Sequence, residues 1–354
     1  MALAPPVMLR VPSAVPAPRL RRRTRRLLPY QQAPRLSIII VNYRLWEETA
    51  RLVRELLAAP CTQRGEVEVV VVDNHSPPHP LARRMRRWNG VSLRRWERNR
   101  GFAHAVNEGC RLGRGQWLLL LNPDISVLPG FVEGVLDLAD RLVAEEPRAG
   151  VVGFRLRNSD GTRQHSAGPF PTLLPTLLRL ALPRTRRKYH FLHASRRRLV
   201  PWVTGCCMML RRECVEELGG LDRDFFLYYE DVDFCRRARE RGWSVWYEPA
   251  LQVFHHHPLH SRPVPAYLRL LTRHALLTYA WKHWPGWQLR LLAGLVSLEA
   301  RLRRQRAGQQ GNRDEAQLFA QLQSIAGDIG RGSMAAARQR LRRIVRREER
   351  ARAS

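Results

Sequence analysis

Leu36–Val41 reads LSIIIV and Val67–Val72 reads VEVVVV. Runs this short, apolar and rich in β-branched residues are strands buried on both faces, because a strand with one wet face alternates with polar residues. The first run ends in Asn42-Tyr43-Arg44, after which Trp46, Leu52, Val53, Leu56 and Leu57 recur at helical spacing through Ala58. The second closes on Asp73-Asn74-His75-Ser76 and the breaker Pro77-Pro78. Working outward, the pattern predicts a basic helix over Leu81–Trp88, a strand over Val91–Trp96, a turn at Glu97–Gly101 and a helix over Phe102–Leu112. A fourth strand, Trp117–Leu121, stops at Asn122-Pro123-Asp124, and a helix over Gly130–Ala144 and a strand over Val151–Phe154 follow. Strand and helix alternating at this spacing predict an α/β fold: a mostly parallel, Rossmann-like sheet with right-handed crossovers and helices on both faces. Ligands of such sheets bind at the carboxyl ends of the strands. Asn42, Asp73, Asn99 and Asp124 stand there. Neither the GxGxxG of a dinucleotide fold nor the GxxxxGK[ST] of a phosphate loop is present, so two common nucleotide readings lose their support.

Beyond residue 154 the parallel pattern stops. Asn158-Ser159-Asp160-Gly161 reads as a hairpin turn. Residues 169–198 are rich in proline and arginine and read as a mobile or substrate-facing insert. A strand is expected over Trp202–Leu210, a short helix over Arg212–Leu218 and a helix stop at Gly219-Gly220. Two short strands, Trp243–Tyr247 and Leu251–Phe254, lead into His255-His256-His257. From Tyr267 the chain reads as amphipathic helices, with Trp281, Trp284 and Trp287 among arginines and lysines. The division expected is an Arg/Pro-rich, disordered segment over 1–35 and an α/β domain over 36–262, with halves 36–154 and 155–262. A basic helical region over 263–354 completes it.

The chain has 354 residues, enough for a sizeable core, and its 61 Lys and Arg against 31 Asp and Glu give +30, nearly all from arginine. Such a charge attracts something anionic: nucleic acid, a phospholipid face or a phosphorylated substrate. Residues 1–35 hold eight arginines, seven prolines and no acids. They do not read as a signal peptide, since no long apolar stretch follows the charges. The six cysteines show no CxxC pair and no zinc spacing, so they read as small buried hydrophobes in a reducing compartment. No run approaches the length of a membrane span, and a cytoplasmic protein is expected, peripheral on the inner membrane face at most.

Phe225–Cys235, FFLYYEDVDFC, sets aromatics beside Glu230, Asp231 and Asp233. Aromatics favour burial and carboxylates favour water. A carboxylate held in a partly dry place has its basicity tuned for proton transfer. The structural alternative is an acidic cap on the helix that begins near Val232.

The fragments SIIIVNYR, VVDNHS, NRGFAHAVNEG, LLLLNPD, VTGCCMMLRR and GGLDRDFFLYYEDVDFCRR, with the histidines after VF, resemble family-2 glycosyltransferases, and most nearly their bacterial rhamnosyltransferase-like members. The resemblance spans about Leu36 to His257. It implies a GT-A type domain that moves a sugar, rhamnose from its deoxythymidine-diphosphate donor for this subgroup, with inversion. The implied acceptor is a saccharide or a polyprenyl-diphosphate-linked saccharide of the cell envelope. Asp124 matches the second acid of the metal-binding DxD element and Asn122 stands at the first, so one carboxylate fewer faces Mg2+ or Mn2+; read alone, NPD is an Asn-Pro turn. Asp73 matches the carboxylate that contacts base or ribose, and it also suits a turn cap. Asn99 and Gly101 match the NxGF segment, in which glycine allows close backbone approach to the donor. Asn107 matches a later asparagine of that segment and Asn42 lies where the base is expected. Asp231 matches the base that takes the acceptor proton, with Glu230 orienting beside it and raising its proton affinity, while Asp233 reads as structural. His255 matches a histidine that binds metal or diphosphate, a role for which His256 and His257 compete; Ser261 is a weaker phosphate candidate. Basic ends interleaved with tryptophan suit an anionic membrane face, and equally a solvated arginine surface.

Two other functions were weighed against this one. A sugar-phosphate nucleotidyltransferase wants a glycine-rich basic signature after the first strand, where Asn42-Tyr43-Arg44-Leu45-Trp46 stands instead. A nucleic-acid-binding protein wants arginine and aromatics interleaved on one module; here arginine gathers at the ends and insert while carboxylates gather at strand ends, so no nucleic acid is expected.

Overall fold

The computed structural model describes residues 33–181, 194–257 and 264–352. The segment 1–32, part of the insert, and Ser261 lie outside the described residues. β1 (Leu36–Asn42) is buried along its whole length. Its alternate residues enter different cores: Ile38 and Ile40 join one apolar cluster, Ile39 and Val41 another. Both faces of the sheet are therefore covered, as continuous apolar strands require. On the first face lie α1 (Trp46–Leu57), α2 (Pro60–Gln63), which the sequence pattern had not signalled, and, later in the chain, α5 (Phe131–Glu145). On the second lie α4 (Phe102–Leu112), α7 (Arg212–Leu218) and α8 (Glu230–Glu240).

β1 pairs in parallel with β2 (Val67–Asp73) and β4 (Trp117–Leu121), and β2 with β3 (Val91–Arg95), which α3 (Pro80–Met85) precedes. In register, Asn42 stands beside Asp73, so two of the expected polar residues share one sheet end. The remaining strands are β5 (Ile125–Val127), β6 (Ala149–Arg157), β7 (Ala167–Gly168), β8 (Arg198–Leu199), β9 (Trp202–Val203), β10 (Cys207–Arg211) and β11 (Ser244–His255). The sheet runs β3-β2-β1-β4-β10-β6-β11-β5, with β8 on β11 and a separate β7–β9 ribbon.

Three expectations are corrected here. The strand expected over Trp202–Leu210 breaks at Thr204–Cys206, and only β10 enters the main sheet, antiparallel to both β4 and β6. The two strands expected at Trp243–Tyr247 and Leu251–Phe254 are one, β11, whose register slips between Glu248 and Gln252, around a proline that cannot donate to the ladder. α8 begins at Glu230, so all three acids lie in its first turn. The hairpin at Asn158–Gly161 is as expected, with Asn158 N–H bonded to Thr162 O at 2.8 Å. All six cysteines are buried and unbridged.

Within the insert, α6 (Leu173–Ala181) is the described helix. α9 (Ala266–His283), α10 (Gly286–Gln309), α11 (Arg313–Gly330) and α12 (Met334–Ala351) share a core of their own, against which Phe226, Leu227 and Tyr229 pack. On α10, the half-buried Glu299 accepts from Arg273 Nε of α9 at 2.7 Å and Arg303 Nε at 3.0 Å. Burial alone would raise this carboxyl, but the two guanidinium groups outweigh it and hold it at about 2. A depressed carboxylate stabilises the fold above its unfolded value and loses that contribution as pH falls through the folded one. Glu299→Gln is therefore expected to destabilise by about 2–3 kcal/mol at pH 7. In urea melts the gap to wild type should close as pH falls from about 4.5 toward 2; a gap independent of pH would refute the assignment.

Candidate functional site

The loops after β1, β2 and β3 form the first part of the site. Asn42 is fully buried, and its Nδ2 donates to Asp73 Oδ1 at 2.8 Å and Ser76 Oγ at 3.1 Å. Its Oδ1 accepts from Leu45 N at 3.2 Å and Thr49 Oγ1 at 2.9 Å. Every polar atom of that carboxamide is used within the protein, so its work is to hold Asp73 and the turn. Asp73, also fully buried, accepts from Arg95 Nε at 2.8 Å, and Arg95 goes on to Ser76 O at 2.9 Å. Asn99 takes hydrogens from Asn74 Nδ2 and Gly101 N at 2.8 and 2.9 Å.

Two matched positions serve the fold. Gly101 has φ of 92°, and a Cβ there would lie 2.7 Å from Phe226 O. The close approach it allows here is to the backbone of the aromatic–acidic stretch, with Phe102 N–H on Phe226 O at 2.7 Å. Asn107 clasps Leu221 through both polar atoms, each at 2.8 Å, a packing role beside the one the motif implies.

The second part is the Asn122-Pro123-Asp124 turn. Asp124 is buried, and His255 Nε2 lies 3.4 Å from its Oδ2. Burial would raise the Asp124 carboxyl; the hydrogen bond and charge of His255 outweigh it, and its pKa falls below the usual value. Gln164 Oε1 sits 3.0 Å from His255 Nδ1 and fixes the ring, which nothing in the sequence signalled. Of the three histidines His255 stands beside Asp124, while His256 faces Ser126 and Ser159 at 2.8 and 3.0 Å and His257 is exposed.

The third part is the start of α8. Asp231 accepts from Gly205 N and Val232 N, both at 2.8 Å. Burial pushes its pKa up while those amides pull against the rise. Glu230 is more deeply buried, its Oε2 has no hydrogen-bond partner among the described residues, and burial with the Asp231 charge pushes its pKa well up. Asp233 is tied to Arg237 Nε at 2.7 Å and His283 Nε2 at 2.8 Å, the structural role expected of it. Gly205 and Cys206 join the second and third parts, because Cys206 O accepts from Asn122 N at 2.9 Å while Gly205 holds Asp231. The non-glycine residues with positive φ are Arg44 (61°), His75 (76°), Tyr228 (74°) and Tyr229 (68°) among the described residues, all in these loops. Left-handed backbone at such residues costs about 1–3 kcal/mol each and gathers at working sites.

Polar residues gather at the carboxyl ends of β1, β2 and β4, where α/β sheets take their ligands, and two carboxyls stand at the start of α8. Residues 37–219 match the model described as "Glycosyl transferase family 2", and 182–304 match "Glycosyl transferase family group 2". The chain belongs to glycosyl transferase family 2 and is of rhamnosyltransferase-like type, with the mixed α/β fold expected. An N-acetylglucosaminyl-diphospho-decaprenol L-rhamnosyltransferase of Mycobacterium tuberculosis is 31% identical over 240 residues, covering 62% of this chain and 76% of its own. A low-salt glycan biosynthesis hexosyltransferase of Haloferax volcanii is 28% identical, covering 63% and 68%. A rhamnosyltransferase of Escherichia coli is 24% identical, covering 44% and 61%.

A carboxyl whose pKa is raised by folding leaves the protein most stable below its unfolded value, and that advantage is lost as pH rises through the folded value. Glu230→Gln removes the titration. Its melting temperature relative to wild type is expected to climb as pH rises above about 4.5, and a difference that stays flat from pH 4.5 to 9 would show Glu230 already ionised.

Proposed function

We propose that the enzyme moves a deoxyhexose such as L-rhamnose, with inversion, from a nucleoside-diphosphate donor to a saccharide carried on polyprenyl diphosphate in cell-envelope polysaccharide synthesis. The observation that carries the mechanism is the Asp231 carboxylate, held by the Gly205 and Val232 amides and joined through Gly205-Cys206 to the Asp124 turn. The acceptor hydroxyl attacks the anomeric carbon as the bond from that carbon to the diphosphate oxygen breaks. Asp231 takes the hydroxyl proton, and the nucleoside diphosphate leaves with the electron pair. The raised pKa suits a base working near neutral pH, and Glu230, carrying a proton more readily still, orients the acceptor as a hydrogen-bond donor.

Asp124 and His255 fit a divalent ion, Mg2+ or Mn2+: one ionised carboxylate and one imidazole oriented by Gln164. No cluster of three His, Cys, Asp or Glu is present among the described residues, so Asp124 and His255 would hold the ion together with ligands from outside the protein. When bound, the ion neutralises charge developing on the leaving diphosphate. Donor release from a panel of nucleotide sugars is the test. Asp231→Asn is expected to lower turnover by about 10²–10⁴ while nucleotide binding is kept, and Asp124→Asn to abolish metal-stimulated release. Undiminished turnover in Asp231→Asn would remove it as the base.

The acceptor reading places the enzyme on the cytoplasmic membrane face. No helix among the described residues is long and apolar enough to cross a membrane. α10 instead carries apolar residues on two sides: Leu289, Leu292, Val296 and Ala300 are buried, while Trp287, Leu291, Leu295, Leu298 and Leu302 line an exposed stripe. Exposed Arg290, Arg301, Arg304 and Arg306 lie on the same helix, and Leu174 and Leu178 of α6 are exposed as well. An apolar stripe with arginine around it fits the interface of an anionic bilayer. Leu291→Glu with Leu298→Glu is expected to abolish co-sedimentation with phosphatidylglycerol vesicles and leave melting unchanged; persistent sedimentation would move the contact elsewhere.

A further inference from the structure

Residues beyond 304 lie outside both family matches, yet α12 returns to the first part of the site. Glu349, more than nine-tenths buried, accepts at Oε1 from Tyr43 OH at 2.6 Å and Asn99 Nδ2 at 3.0 Å. Its Oε2 lies 3.6 Å from Arg44 Nη2 and 4.0 Å from His75 Nε2, and has no hydrogen-bond partner among the described residues. Burial beside this carboxylate pushes the Tyr43 hydroxyl up to about 12, so it stays a donor. The residues that meet Glu349 come from the loops after β1, β2 and β3 (Tyr43 and Arg44, His75, and Asn99), the carboxyl ends where a nucleoside lies in such a sheet.

The other acceptors at that end are already engaged. Asn42 Oδ1 takes Leu45 N and Thr49 Oγ1, Asp73 takes Asn42, Arg95 and Ser76, and Asn99 Oδ1 takes Asn74 and Gly101. A buried carboxylate oxygen left without a hydrogen is unfavourable and is satisfied by a ligand's donor. Nucleosides supply such donors as sugar hydroxyls and ring N–H groups; their phosphates do not.

We infer that Glu349 belongs to the donor site: its free Oε2 accepts a hydrogen bond from the nucleoside of the nucleoside-diphosphate sugar, a contact contributed by a helix outside the family match. The inference rests on the donor reading of this sheet end. It deepens that reading by naming the nucleoside contact.

Calorimetric titration of the full chain with dTDP, UDP and GDP, and with inorganic diphosphate, tests it. Wild type and Asp231→Asn should bind one nucleotide alike. Glu349→Ala should weaken that binding roughly tenfold or more and Glu349→Gln less, with inorganic diphosphate affinity unchanged or tighter. Unchanged nucleotide affinity with a lowered melting temperature would make Glu349 only an anchor for α12, overturning the inference. Tighter nucleotide binding would make it a plug that the donor displaces, overturning it equally. Wild type binding none of the three would bring down the donor reading itself, an outcome separate from the other two.

Discussion

A buried carboxylate without water needs hydrogens from the protein, and Asp73 is the one on which the donor end depends. It closes β2 next to Asn42, which closes β1, and the side-chain bond between them locks the two strand ends in register. Arg95 at the end of β3 supplies the counter-charge. Three successive parallel strands therefore finish on one polar network. The loops that leave it, with Arg44 and His75 in the left-handed region, have their direction set by that network rather than by their own preference. Breaking a buried pair of this kind strands a charge, at a cost of about 3–5 kcal/mol. Asp73 is thus as much the keystone of the scaffold as a feature of the site.

The acidic end of α8 shows the same physics with a different outcome. Glu230, Asp231 and Asp233 all lie in the first turn, where backbone N–H groups and the helix dipole favour negative charge. They are nonetheless unequal. Asp233 has Arg237 and His283 as partners, and the second ties α8 to α9. Asp231 has only amides, and Glu230 leaves one oxygen with no partner among the described residues. Cap and functional site are not alternatives here: the cap holds the carboxylates while burial keeps two of them basic.

The reach of the sequence follows from how local each signal is. Continuous apolar strands with polar ends made β1, β2 and β4 and their site-bearing termini readable, because both-face burial is written into the residues themselves. The direction of β10 was not readable, since an apolar run of five residues is the same either way along the chain. β5, three residues long, carries no periodicity. At Asn107 and Gly101 the motif positions were located correctly, but a carboxamide can serve a ligand or a neighbouring backbone equally well, and only the fold decides; both turn to the 220–226 segment. Gln164 and Glu349 had no signal at all. Glu349 lies 306 residues from Tyr43 and sits in an arginine-rich helix that resembles a solvated one.

The basic composition reads differently once the partners are known. Many arginines have partners within the protein: Arg95 with Asp73, Arg237 with Asp233, Arg273 and Arg303 with Glu299, Arg338 with Asp224. The pairs of Arg95, Arg273 and Arg338 tie β3, α9 and α12 to neighbouring segments, and a guanidinium matched by its own carboxylate adds little to an external field. What remains is an excess of 30 positive charges over acids, with four exposed arginines beside the open apolar stripe of α10. Screening confines that field to about 8–10 Å at physiological salt, so it acts on a surface brought close rather than on distant solutes. Under the membrane contact proposed above, anionic headgroups and the apolar stripe would both act at that short range, and together they would orient the enzyme where either alone binds weakly.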